Sequence, residues 1–185
     1  MTRKYARPER ERRFVLDRPP DGEVIRTTEI TDRYLRHTRL RLRRSVVRLA
    51  TGPTTVYKLT QKVPGVGGDP LLITTLYLEA GEYDVFRGIP AATLRETRLS
   101  IPPYGVDIFA APLDGLVLAE VEFDSDVDEQ RFVPTIPIVA EVTDDWRFAG
   151  GRLATASADE VAAASERSAT GIERAGKVPD GRGWE

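Results

Sequence analysis

Apolar and polar side chains alternate with period two along much of this chain, which is the pattern of strands with one face toward a core and one away from it. The first such stretch, Glu9-Arg10-Glu11-Arg12-Arg13, runs directly into Phe14-Val15-Leu16. As a strand it places Glu9, Glu11 and Arg13 on one face and Arg10, Arg12 and Phe14 on the other. As a helix, Glu9 and Arg13 would instead form an i,i+4 pair on a solvated surface, and this stretch alone does not choose. Arg39-Leu40-Arg41-Leu42-Arg43 is more decisive, because a helix would scatter its arginines while a strand gathers them on one face. An edge strand guarded by charge would show the same alternation.

Val56 to Lys62 repeats the pattern, with Lys58, Thr60 and Lys62 sharing a face. Leu71 to Leu78 is a strand without any charge. Thr93 to Ile101 is the next β candidate and sets Glu96 and Arg98 side by side. Val106–Ala111 and Leu116–Phe123 predict a hairpin around the Asp114-Gly115 turn, with Glu120 and Glu122 facing the same way. Ile138 to Thr143 is a last apolar strand with Glu141 embedded in it.

Helices are few. Glu79–Arg87 reads as a short helix closed by Gly88 and Pro90, and Asp126–Phe132 as another. Val24–Glu29 reads either as a strand or as a continuation of the loop after Pro19-Pro20-Asp21-Gly22. The glycine-rich stretch from Pro64 to Pro70 lacks the Gly-Lys-Ser/Thr ending of a phosphate loop and predicts a hairpin connection. Beyond residue 155 large apolar side chains nearly vanish, which predicts a tail holding at most a short helix. The expected organisation is a domain over 1–154 and a tail over 155–185.

Composition then narrows the chemistry. The 185 residues carry 27 basic and 29 acidic side chains, a formal net charge of −2, which argues against a dedicated nucleic-acid binder. No cysteine and a single histidine, His37, exclude thiolate chemistry and multi-histidine metal sites. Any metal must be held by carboxylates, which favour hard ions such as magnesium, manganese or calcium. No apolar run reaches membrane-spanning length, so the expectation is a cytoplasmic protein with no membrane partner. Trp146 and Tyr57 read as packing residues and His37 as a surface residue.

The charged stripes come from separate strands. Together they supply the acids Glu9, Glu11, Glu120, Glu122 and Glu141 and the bases Arg13, Arg41, Arg43, Lys58, Lys62 and Arg98. Two arrangements satisfy the pattern. One is a sheet with its charges in solvent and its apolar faces on a common core. The other is a barrel whose charged faces converge on a channel while helices cover the outside.

The stretch Glu9-Arg10-Glu11-Arg12-Arg13-Phe14 resembles the N-terminal Glu-x-Glu-x-Lys signature of the CYTH, or triphosphate tunnel metalloenzyme, superfamily. Leu40-Arg41-Leu42-Arg43, Leu59-Thr60-Gln61-Lys62, Ala119-Glu120-Val121-Glu122-Phe123 and Glu141-Val142-Thr143-Asp144-Asp145 resemble its later blocks in the same order. The resemblance spans roughly residues 5 to 154. It implies a mainly β (α+β) fold: a closed eight-stranded antiparallel barrel with a few short covering helices. It also implies metal-dependent hydrolysis, with Mg2+ or Mn2+, of inorganic triphosphate or a nucleoside or thiamine triphosphate.

By the same resemblance, Glu9, Glu11 and Glu122 serve catalysis, and Glu9, Glu11, Glu120, Glu122 and Glu141 the metal. Arg13, Arg41, Arg43, Lys58, Lys62 and Arg98 bind phosphate, Lys58 as the weakest candidate. The partner is a triphosphate-containing small molecule, and a homodimer is compatible with the reading. The chain departs from the family pattern at three places: Arg13 replaces the signature lysine, Ile73 to Leu78 has no charge, and Glu96 stands where a phosphate-binding base is usual. These departures keep a second reading open, a phosphate-ligand or nucleotide-binding regulatory protein with reduced catalysis. A class IV adenylyl cyclase and a structural β-domain with solvated stripes rank below it.

Overall fold

A single antiparallel sheet organises the molecule. The computed structural model describes residues 4–49, 51–64 and 71–171. The predicted glycine-rich connection and the end of the expected tail fall outside the described residues. The strands are β1 (Arg7–Pro8), β2 (Glu11–Leu16), β3 (Arg26–Leu35), β4 (Leu40–Leu49), β5 (Gly52–Val63), β6 (Leu72–Leu78), β7 (Ala91–Ile101), β8 (Tyr104–Phe109), β9 (Val117–Glu122) and β10 (Ala140–Glu141). Their order across the sheet is β1-β6-β5-β4-β3-β7-β8-β9-β2-β10.

The sheet curls but does not close into the expected eight-stranded barrel. Its two ends are spanned by one stretch of chain: residues 7 and 8 pair with β6, and residues 11 to 16 pair with β9. Between them the Glu9 amide donates to the Leu71 carbonyl. Pro8 has no N–H to give to a ladder, so the pairing on β6 stays short. Closure therefore rests on a crossing segment and not on a continuous ring of hydrogen bonds.

The register explains where polarity goes. Directly opposed residues share a face, so the pairs Arg13–Glu120, Arg98–Asp107 and Asp32–Arg43 all lie on the concave side. Further along the same face the side chains become apolar: Val15 beside Leu118, then Leu94, Phe109 and Tyr34. β2, β3, β7, β8 and β9 are thus charged over one part of the concave face and apolar over the rest.

The apolar part is closed by C-terminal structure. A 3-10 turn (Trp146–Phe148) and two helices, α3 (Gly150–Leu153) and α4 (Ala158–Ala169), contribute Phe148, Leu153, Val161 and Ala164 to that core. Here α3 and α4 follow two earlier helices, α1 (Ala80–Arg87) and α2 (Asp126–Arg131). The sequence reading allowed at most a short helix after residue 155; the chain there forms α4, which packs Val161 and Ala164 into the core, its Ser157–Glu160 capping box fixing where it starts. Its small buried side chains hid it from a search for large apolar ones. On the convex side, α1 packs through Tyr83 and Phe86 against β4 and β5, and Phe132 and Ile136 cover Phe14, Tyr104 and Val121.

Gly150 permits the closure. A Cβ at this position would lie 2.0 Å from the Tyr34 hydroxyl, so only glycine lets α3 approach β3. Gly150→Ala is expected to lower unfolding free energy by about 1–3 kcal/mol, the usual range for overpacking, measured by chemical denaturation. An unchanged stability would mean that α3 is not held against Tyr34.

Candidate functional site

The concave charged zone encloses a cavity with about 90 Å³ of room between side chains. Nine of the residues singled out from the sequence line it: Glu9, Glu11, Arg13, Arg41, Arg43, Lys62, Arg98, Glu120 and Glu122. Period-two alternation put each on its face, and the curl of the sheet brought the faces together. Two do not reach it. Lys58 lies over the Tyr77 ring, and Glu141 sits on the convex side in a two-pronged ion pair with Arg12. Glu141 is turned outward because it pairs with Phe14, a residue of the apolar face of β2.

Three further acids form the floor. Asp32, Glu96 and Asp107 are buried and line the same cavity. The sequence reading set Glu96 beside Arg98 and counted it as a departure from the family pattern, and it missed the two aspartates. Their signal was weak: Asp107 is a lone charge in an apolar strand, Asp32 lies in a strand of mixed charge without a period-two stripe, and only the register reveals that each opposes an arginine.

The lining is a network of cross-strand ion pairs. Arg43 grips Asp32 with two hydrogen bonds, 2.7 and 2.6 Å, and Arg98 grips Asp107 with two, 2.6 and 2.5 Å. Arg98 also reaches Glu120 at 2.5 Å. All three nitrogens of Arg13 are engaged, by Glu120, by Glu11 and by the Phe148 carbonyl. Lys62 bonds Glu9 at 2.7 Å across the crossing segment. Two-pronged guanidinium–carboxylate contacts of this kind are the strong form of the ion pair, and they lock the arginine plane.

Burial and pairing set the protonation states. Burial works to raise the Glu120 carboxyl, but Arg13 and Arg98 outweigh it and hold the group well below its ordinary value. Asp32 is likewise lowered, burial being outweighed by Arg43 and Arg41. Glu11 is raised, by burial first and by the charges of Glu120 and Glu9, against the pull of Arg13. Glu96 is raised well above the usual carboxylate range by burial, with Asp107 and Asp32 adding to it.

Two polar atoms of the lining stay unpaired. Arg41 Nε and Glu96 Oε2 are buried without a hydrogen-bond partner. At the rim, Glu122 is exposed and directly opposes Glu11, a like-charge pair that a cation would relieve. Among the described residues no three acidic or histidine side chains form a preassembled metal cluster. The donor chemistry nevertheless suits a hard divalent ion, since Glu9, Glu11, Glu120 and Glu122 all offer carboxylate oxygens to one cavity.

Among solved structures, the crystal structure of the inorganic triphosphatase NE1496 matches with a TM-score of 0.52 and 24% identity, covering 80% of this chain and 95% of that one. A crystal structure of the hypothetical protein NE1496 matches with a TM-score of 0.51 and 25% identity, covering 80% and 99%. The chain shares its fold with these proteins. No family model and no curated protein matches the sequence. β6 carries no charge and supplies no residue to the cavity lining; its Thr75 hydroxyl shares a hydrogen bond with that of Thr60.

The network predicts a pH-dependent contribution from Glu120. A depressed carboxyl stabilises the fold above its unfolded value, near 4.5, and the contribution is lost as pH falls through the folded value. Glu120→Gln should destabilise by about 3–5 kcal/mol at pH 7, because Arg13 and Arg98 keep buried charge with a partner removed. The deficit relative to wild type should shrink below pH 4.5, as followed by denaturation across pH.

Proposed function

We propose that this protein hydrolyses a triphosphate together with a divalent metal ion, inorganic triphosphate being the simplest substrate that fits. The observation that carries this is the charge balance of the cavity. Its lining holds five cations, Arg13, Arg41, Arg43, Lys62 and Arg98, against seven acids. Cations drawn from several strands suit a chain of phosphates, yet a bare polyanion would meet an excess of carboxylates. A phosphate chain that arrives with a metal ion satisfies both signs at once. The fold shared with a protein described as an inorganic triphosphatase supports the same reading.

In this reading Arg41, Arg43, Lys62 and Arg98 hold phosphate oxygens. Arg41 is the best placed, because its buried Nε has no competing partner. Glu9, Glu11, Glu120 and Glu122 hold the ion, which when bound supplies charge neutralisation and polarises a phosphoryl oxygen. Arg13 acts as a positioning residue: with its nitrogens already engaged, it fixes Glu11 and Glu120 and ties the turn at Phe148 to the wall. Glu122, in no ion pair among the described residues, orients a water molecule and accepts its proton as the water attacks the terminal phosphorus. The leaving diphosphate is held by the arginines, whose fixed charges stabilise the charge developing on it.

Release of phosphate from inorganic triphosphate should therefore require magnesium or manganese and stop with a chelator. Glu122→Gln should lower kcat by roughly 100-fold or more, the scale of losing a general base. Arg41→Ala should raise KM about tenfold or more, most strongly at low salt. A second reading, binding without turnover, draws on the uncharged β6 wall and the saturated Arg13. Retained triphosphate binding with no phosphate released under any metal would select it.

A further inference from the structure

Glu96 is a buried acid in a floor that, on the reading above, receives phosphate. Its side chain is 3% exposed, lines the cavity and, among the described residues, reaches only Arg43 Nη2, at 3.5 Å, through one oxygen. The other oxygen has no partner. An ionised carboxylate placed this way would carry an uncompensated lone pair and would repel any phosphate brought beside it. A neutral carboxylic acid has one O–H to donate, and Arg41 Nε–H is a second unpaired donor on the same lining.

We propose that Glu96 is a phosphate-binding residue in its protonated form, its O–H donating to a phosphate oxygen that Arg41 Nε–H also contacts. This rests on the cavity being the triphosphate site. It makes ligand affinity depend on one proton held by the protein: binding is tight while Glu96 is neutral and weakens once it ionises. The groups facing Glu96 set that point. Asp32 and Tyr34 approach from β3, Arg41 and Arg43 from β4, Arg98 from its own strand β7, and Asp107 from β8. The two aspartates favour the neutral acid and the arginines oppose it, while burial adds to the aspartates. The acid standing where the family places a base is thus a donor of a different kind, supplying a hydrogen bond without adding a positive charge.

The test is the affinity of a methylene-bridged triphosphate, which cannot be hydrolysed, with magnesium present, measured by calorimetry from pH 5.5 to pH 9 for wild type and Glu96→Gln. The amide keeps a donor and cannot ionise, and the ligand's own titration is common to both proteins. Wild-type affinity is expected to fall by about tenfold per pH unit more than that of Glu96→Gln above the point where Glu96 ionises. A companion measurement guards against misfolding: below that point Glu96→Gln should bind within about threefold of wild type. Parallel pH profiles with binding intact would overturn the role of Glu96 alone. Loss of binding in Glu96→Gln at every pH would also overturn it, because a donor would then not suffice. No binding by wild type at any pH would overturn the triphosphate reading and this inference with it.

Discussion

Buried charge held in register is the constraint on which the rest of this structure depends. The concave face carries Arg13, Arg43 and Arg98, each opposite an acid on the neighbouring strand. Removing such groups from water is unfavourable by several kcal/mol per ion, and only close pairing with extra hydrogen bonds offsets it. A slip of one residue in any ladder would turn the charges outward and break every pair. The ion pairs therefore specify the register more than they add stability. They also hold the walls apart, so that the interior stays polar where a collapsed sheet would have filled it with aliphatic side chains.

That constraint divides the interior. Charge occupies one part of the concave face, and Val15, Leu94, Phe109 and Leu118 occupy the other, where Phe148, Leu153 and α4 pack. The apolar closure keeps water from that side and lowers the local dielectric around the floor acids, which is why burial dominates the protonation of Glu96. Arg13 links the two parts, with its guanidinium on Glu11 and Glu120 and its third contact on the Phe148 carbonyl. A lysine has no fork with which to make three such directed contacts at once, so the arginine at this place couples the acid cluster to the closing turn.

The fold tolerates an incomplete ring because the pressure to close it is local. Residues 7 to 16 span both ends of the sheet, and the Lys62–Glu9 contact fastens the crossing from within. The neighbouring wall, β6, has no charge to pair and bonds inward only through the Thr60–Thr75 hydroxyls. The cations of the cavity stand on β2, β4, β5 and β7, and β6 adds no residue to its lining.

Alternation of side chains determined a good deal without any tertiary information. The strands bearing Glu11, Arg13, Arg41, Arg43, Lys62, Arg98, Glu120 and Glu122, and the face each residue occupies, follow from a period of two, because successive side chains on a strand must point opposite ways; Glu9 lies on the segment between β1 and β2. The ordered blocks pointed to a mainly antiparallel β fold, and the closed ring they implied is instead a curled, open sheet. Alternation could not say which strands neighbour one another. Only the folded sheet decided that Asp32 and Asp107 would meet arginines, that Lys58 and Glu141 would fall outside the cavity, and that an alanine-rich segment would dock as α4. Periodicity assigns a face, but what a side chain meets there is set by the residue opposite it across a ladder and by the elements packed on the sheet. The protonation of Glu96 belongs to that class too, since burial and the two aspartates on other strands fix it, and neither is written in β7 itself.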